Sequence, residues 1–152
     1  MLNTIIFDFS RVLLFPKDPT FTGRLNDLYR EKVNDLGFNF FDHFQLNQEL
    51  LDYLETIRDM ELYVFTSDTI QEDPSLTPHL QIFRKIYSSK KLNTQKTNPE
   101  AYKIVLEDMK KSSEEVLFID DTQANIDGAK EAGLQTILYT SNEQLISKLK
   151  QT

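Results

Sequence analysis

The chain has 152 residues, 39% of them hydrophobic, with a formal net charge of -7 and a pI of about 4.8. That length suits one domain with a self-sufficient core and leaves no room for a second. The acidic balance argues against nonspecific binding to nucleic acid or an anionic membrane, and the absence of cysteine removes disulfides, zinc–thiolate sites and cysteine nucleophiles.

The first element is a strand. Ile5-Ile6-Phe7 is a short apolar run that stops at Asp8 and continues into Phe9-Ser10, as expected of a buried parallel strand that carries a carboxylate to the sheet's edge. The residues before it lack the basic stretch and long apolar run of a signal peptide, and no later segment reads as a membrane span. The expected location is therefore the cytoplasm. Residues 16–46 are polar, aromatic and turn-rich, with Pro16, Pro19, Gly23 and Gly37 around one helix-like stretch, Leu25 to Leu36. They read as an insert within a single domain. Phe38, Phe40, Phe41 and Phe44 are expected to form that insert's small core over a sheet edge, with an apolar lid or an oligomer surface as the alternative.

From Leu46 to Met60, Leu50, Leu51, Leu54 and Ile57 recur at helical spacing, and the strand Leu62-Tyr63-Val64-Phe65 follows, ending in Thr66-Ser67-Asp68. Pro74 and Pro78 mark a loop before a short strand near Lys85 to Ser88. Asn98-Pro99 then announces a helix whose buried face holds Tyr102, Val105, Leu106 and Met109. The strand Val116 to Asp120 ends in the pair Asp120-Asp121. A helix from about Gln123 to Ala132, closed by Gly133, leads to the strand Gln135 to Tyr139, and Ser141 with Gln144 resembles a capping box for a last helix. Strand and helix alternate, so the expected fold is α/β, a Rossmann-like parallel sheet with helices on both faces and a small helical insert after the first strand.

Ligands of open α/β sheets bind outside the carboxyl ends of the strands. Asp8, Asp120 and Asp121 all fall there, and three buried acids near one another are costly unless a cation or protons offset the charge. A divalent metal site follows, with magnesium and a phosphorylated substrate as leading suspects. The four glycines build neither a Walker loop nor a dinucleotide fingerprint, and His43 and His79 show no ligand spacing.

Asp8, Thr66, Lys96 and Asp120-Asp121, in that order, resemble the four motifs of the haloacid dehalogenase superfamily, most of whose members are magnesium-dependent phosphatases. The strongest segment is Phe118-Ile119-Asp120-Asp121-Thr122-Gln123-Ala124-Asn125-Ile126, with its doubled acid and later asparagine. The resemblance implies that Asp8 is the nucleophile that forms an aspartyl-phosphate. It implies that Asp8, Asp121 and the Ser10 carbonyl ligate Mg2+, that Asp120 supports the metal site, and that Asn125 holds the loop. Thr66 would donate its hydroxyl and Ser67 its N–H to phosphate, and Lys96 would pair with the transferring oxygens.

Two positions depart from the family pattern. Many of these phosphatases carry a second aspartate two residues after the nucleophile, as general acid and base, and here that residue is Ser10. Such help typically contributes on the order of 10²–10⁴-fold in rate. The next position, usually glycine, is Arg11, which either reaches toward phosphate or packs beside the insert. The expected activity is a phosphate-monoester hydrolase of slow turnover, and the alternative is a catalytically weak or inactive phosphate-ligand-binding or regulatory protein. Hydrolysis of carbon–halogen bonds is disfavoured by the acid pair, and carbon–phosphorus cleavage would want a substrate-activating lysine in a cap, where the insert offers only Lys17, Arg24, Arg30 and Lys32. The insert is short for a cap, which within the family accompanies large or exposed substrates, or caps borrowed from a partner chain, beside the small-molecule case.

Overall fold

The computed structural model describes residues 1–152. Its strands are β1 (Thr4–Phe7), β2 (Leu14–Pro16), β3 (Phe44–Leu46), β4 (Glu61–Thr66), β5 (Ile86–Ser88), β6 (Val116–Asp120) and β7 (Gln135–Leu138). Its α-helices are α1 (Leu25–Lys32), α2 (Phe40–His43), α3 (Gln48–Leu54), α4 (Pro99–Met109), α5 (Gln123–Glu131) and α6 (Asn142–Lys150).

Five strands form one parallel sheet in the order β5-β4-β1-β6-β7. The chain builds outward from β1 through β4 to β5, then crosses to the other side for β6 and β7. Strand order therefore reverses around β1, the place where such sheets open a crevice for ligands. Strand periodicity sorts the apolar residues onto two faces. Ile5 and Phe7 join Leu62, Val64, Leu117 and Ile119 under α3 and α6, whereas Ile6 joins Tyr63, Phe65 and Phe118 under α4 and α5. The sheet is thus buried on both sides, as its unbroken apolar strands require.

Local signals set most boundaries. The Asn98 side chain accepts a hydrogen bond from the Glu100 N–H, with Pro99 in the first turn of α4. After α5, Gly133 takes a φ of +95°, a left-handed conformation that glycine adopts without strain. Ser141 caps α6 through the Gln144 N–H, but the Gln144 side chain turns to Leu138 O and the Thr140 N–H, so only half of the expected capping box forms. No helix is long and apolar enough to cross a membrane.

Within residues 16–46, the helix expected to reach Leu36 stops at Lys32. The chain turns through Asp35 to Gly37, whose φ is +76°, and Leu36 is fully exposed, so no packing extends the helix. The helix expected over Leu46 to Met60 is the shorter α3, because Leu46 pairs with Leu14 in a two-stranded antiparallel ribbon and Asn47 caps the helix instead. Two 3₁₀ turns, Ile70–Glu72 and Pro74–His79, occupy the segment read as loop. Phe40 and Phe44 are buried in the same cluster as Ile5 and Phe7, with Phe38 and Phe41 half-buried against it. These aromatics are an extension of the core beneath one sheet face.

Candidate functional site

Asp8 follows β1 and holds its place through an N–H donated to Ile119 O at 2.8 Å. Asp120 ends β6 and is fully buried. One oxygen of Asp120 accepts the Thr122 N–H at 2.9 Å and the other accepts Asn125 Nδ2 at 3.1 Å. Between these acids lies Lys96, only 3% exposed, with Nζ 2.7 Å from Asp8 Oδ1 and 2.7 Å from Asp120 Oδ2. Asp121 completes the cluster, and single carboxylate oxygens of Asp8, Asp120 and Asp121 lie within 4.8 Å of one another.

Lys96 is held at both ends. Its Nζ sits 5.6 and 5.4 Å from the ring centroids of Phe65 and Phe118, a contact attractive to a desolvated cation. Its carbonyl accepts the buried Tyr102 hydroxyl at 2.6 Å. Gly128 of α5 approaches the same segment so closely that a Cβ there would lie 2.9 Å from both Lys96 O and Thr97 O. A larger residue would displace the backbone from which Lys96 reaches the acids.

Electrostatics follows from burial. Desolvation pushes the Asp8 carboxyl well above the usual carboxylate range, against the pull of Lys96 and with the help of Asp120. Asp121 is raised for the same reasons, burial first and Asp120 second. Burial alone would lower Lys96, yet Asp8 and Asp120 together raise it, so the ammonium form is favoured. One buried cation against three carboxylates leaves two uncompensated negative charges. Hard oxygen donors converging with that charge fit a divalent cation such as Mg2+.

Above Asp8 opens a cavity of about 230 Å³, with Leu25 the only hydrophobic residue in its wall. Asp8, Ser10, Thr66, Ser67, Asp121 and Asn125 line it from the sheet side, and Thr22 to Asn26 line it from the insert. Every residue singled out in the sequence reaches this region. Asp8, Ser10, Thr66, Ser67, Asp121 and Asn125 face the cavity, whereas Lys96 and Asp120 stand behind Asp8 in the buried layer. The Ser10 Oγ is buried with no hydrogen-bond partner. Arg11 also lines the cavity, packed beside the insert. Its guanidinium donates to Phe21 O at 3.2 Å and Gly23 O at 2.7 Å, and its φ of +64° is left-handed.

The insert wall was not legible in the sequence, because its tethers join residues far apart in the chain. Asn26 Oδ1 accepts the Ile70 N–H at 2.9 Å, the Tyr29 hydroxyl donates to Asp73 Oδ2 at 2.7 Å, and Arg30 pairs with the buried Asp68. Burial and Asp73 push the Tyr29 hydroxyl up to about 12. Three side chains of α1 thus fasten it to the segment that follows β4.

A family model described as haloacid dehalogenase-like hydrolase matches residues 14–139, which takes in Thr66, Lys96, Asp120, Asp121 and Asn125 and begins just beyond Asp8. Among solved structures, a hydrolase from Streptococcus pneumoniae is 21% identical with a TM-score of 0.71, covering 98% of this chain and 98% of its own. A HAD family enzyme from Bacteroides thetaiotaomicron, a mutant crystallised in complex with magnesium and inorganic phosphate, is 16% identical with a TM-score of 0.66 over 93% of this chain and 96% of its own. A 2-haloacid dehalogenase from Pseudomonas syringae is 16% identical with a TM-score of 0.67 over 91% of this chain and 86% of its own. At these identities the likeness concerns the fold.

Proposed function

This chain belongs to the haloacid dehalogenase-like hydrolases, and from that premise we propose that it is a magnesium-dependent phosphatase that cleaves small phosphate monoesters through an aspartyl-phosphate on Asp8. The observation that carries this reading is the charge of the buried layer. Lys96 pairs with both Asp8 and Asp120, but its single charge offsets only one of the three carboxylates, and a divalent cation would offset the remaining two. The magnesium and phosphate bound by the Bacteroides relative accord with the same chemistry.

On this reading Asp8, Asp121 and the Ser10 carbonyl hold the metal, with Asp120 behind them fixed by the Thr122 N–H and Asn125. Bound magnesium would neutralise charge on the phosphoryl oxygens. Lys96 binds Asp8 Oδ1, which leaves Oδ2 to attack phosphorus. The P–O ester bond breaks as the Asp8 bond forms, and the alcohol leaves with the bonding pair and a proton. Water then attacks the phosphorus of the aspartyl-phosphate, releasing inorganic phosphate and restoring the carboxylate. Thr66 and Ser67, both in the cavity wall, donate to the phosphoryl oxygens.

Ser10 is the weak point of that cycle. A serine hydroxyl is too poor an acid to protonate an alkoxide near neutral pH, so the leaving group takes its proton from water or from the substrate. The lack of a carboxylic acid at Ser10 also favours a second reading, a phosphate-binding module that no longer turns over. In either case we read residues 16–46 as a reduced cap within one domain, and the cysteine-free acidic chain as cytoplasmic.

Release of p-nitrophenol from p-nitrophenyl phosphate, with and without magnesium, tests the proposal in wild type and in Asp8→Asn. Magnesium-dependent release that vanishes in Asp8→Asn is the expected result. No release from wild type, with magnesium still raising the melting temperature, would move the assignment to the binding module.

A further inference from the structure

The insert wall of the cavity is held rigidly. Arg11 ties down the carbonyls of Phe21 and Gly23, and the Phe21 ring lies so near Gly23 that a Cβ there would meet it at 2.7 Å. On the other side of the loop, Asn26 binds the Ile70 N–H. Between these anchors, and lining the same cavity as Asp8 and Thr66, stands Arg24.

The other cations around the site have partners. Lys96 is paired with Asp8 and Asp120, Arg30 with Asp27 and Asp68, Lys90 with Asp68, and Arg11 with two carbonyls. Arg24 has no salt bridge and makes no side-chain hydrogen bond, although the chain carries 24 acidic residues against 17 basic ones. It is also exposed where it precedes α1, with its backbone extended at φ -74° and ψ 133° and its side chain unused as a helix cap. An unpartnered guanidinium on a tethered loop in the wall of a polar cavity offers a planar fork for a carboxylate.

We propose that Arg24 forms a second anion subsite, and that the substrate is a small phosphate monoester whose alcohol portion carries a carboxylate. This rests on the phosphatase reading above. The phosphoryl group sits at Asp8 and Thr66, and the carboxylate reaches across the cavity to the insert. Because Asp8 and Arg24 line the same cavity of about 230 Å³, a small substrate spans both. Because α1 is tethered through Asn26, Tyr29 and Arg30, this subsite is preformed.

The test compares phospholactate with isopropyl phosphate, which differ by a carboxylate in place of a methyl group. In wild type, kcat/KM should favour phospholactate. A charge-assisted contact of this kind is worth roughly ten- to hundredfold, and that preference should collapse in Arg24→Gln and return in part in Arg24→Lys. The ratio of the two substrates remains informative where the variant also shifts overall activity. Binding of the two compounds is measured in parallel by thermal shift, with magnesium, in Asp8→Asn and in Asp8→Asn combined with Arg24→Gln. A preference for phospholactate that Arg24→Gln erases supports the subsite even if wild type hydrolyses nothing, in which case only the phosphatase reading fails. Equal binding of the two compounds, or a preference untouched by Arg24→Gln, overturns the subsite whatever the turnover.

Discussion

Replacing Lys96 by Met separates the charge of the buried layer from its packing. Methionine keeps an unbranched side chain near the Phe65 and Phe118 rings but removes the ammonium that lies 2.7 Å from Asp8 and 2.7 Å from Asp120. Removing one partner of a buried ion pair costs about 3–5 kcal/mol. Because a single Lys96 answers two acids, the upper half of that range is expected, which is a large share of the roughly 5–15 kcal/mol that holds a typical domain folded. Urea unfolding without magnesium at several pH values is the assay. The folded-state carboxyls of Asp8 and Asp121 lie above their ordinary range, so their charged forms oppose folding, and stability returns as pH falls through the raised values. Without Lys96 they rise further, and the deficit of the variant should narrow as pH falls through those raised values. The contribution of Lys96, itself raised, is fully present across that window and lost only in strong alkali. Magnesium should stabilise the variant more than the wild type, since three uncompensated acids replace two. A loss under about 1 kcal/mol at neutral pH, or a deficit that does not change with pH, would refute the reasoning.

Three further outcomes follow from the same geometry. Ser10→Asp should raise turnover of alkyl phosphates by on the order of 10²-fold and of aryl phosphates much less, because a phenolate needs little protonation. Equal gains would count against Ser10 as the missing acid. Asp121→Ala should abolish the rise in melting temperature that magnesium gives, and a rise that persists would move the metal elsewhere. Gly128→Ala sets about 1 kcal/mol of improved helix propensity against an overpacking cost of about 1–3 kcal/mol, where the new Cβ meets Lys96 O and Thr97 O at 2.9 Å. Stability should fall slightly and kcat more, as Lys96 shifts from Asp8. A more stable protein with unchanged kcat would show that the close approach is not what places Lys96.

What the sequence made legible was whatever local chemistry encodes. Ile5-Ile6-Phe7 and Val116-Leu117-Phe118-Ile119 are apolar on both faces, so parallel strands and the acids at their ends follow from the run itself. The Asn98-Pro99 and Gly133 signals set helix ends for the same reason. The insert was less legible, since the 16–46 segment holds no periodic run long enough to declare its partners. Helix α1 stops at Lys32 because packing against the 68–73 segment ends there, and Leu36, apolar in sequence, faces solvent. Lys96 could be ranked only by its offset from Asn98-Pro99. The approach of its Nζ to the Phe65 and Phe118 rings depends on two strands 53 residues apart in sequence.

The two departures from the family pattern stand side by side, and on the proposed reading they bear on different parts of the cycle. On that reading Ser10 takes away the proton donor beside the nucleophile. Arg11 adopts a left-handed backbone at φ +64°, which costs a side-chain-bearing residue roughly 1–2 kcal/mol. Its two hydrogen bonds to Phe21 O and Gly23 O return about 0.5–1.5 kcal/mol each, so the turn is close to neutral for stability. Its effect is therefore geometric. A glycine would make the turn without strain, but it would free the loop that carries Arg24, while Ser10 leaves the chemistry dependent on what the substrate itself brings. A site that cannot supply its own acid gains most from holding the substrate in one fixed orientation, and the Arg11 clamp on the insert is the part of this chain built to do that.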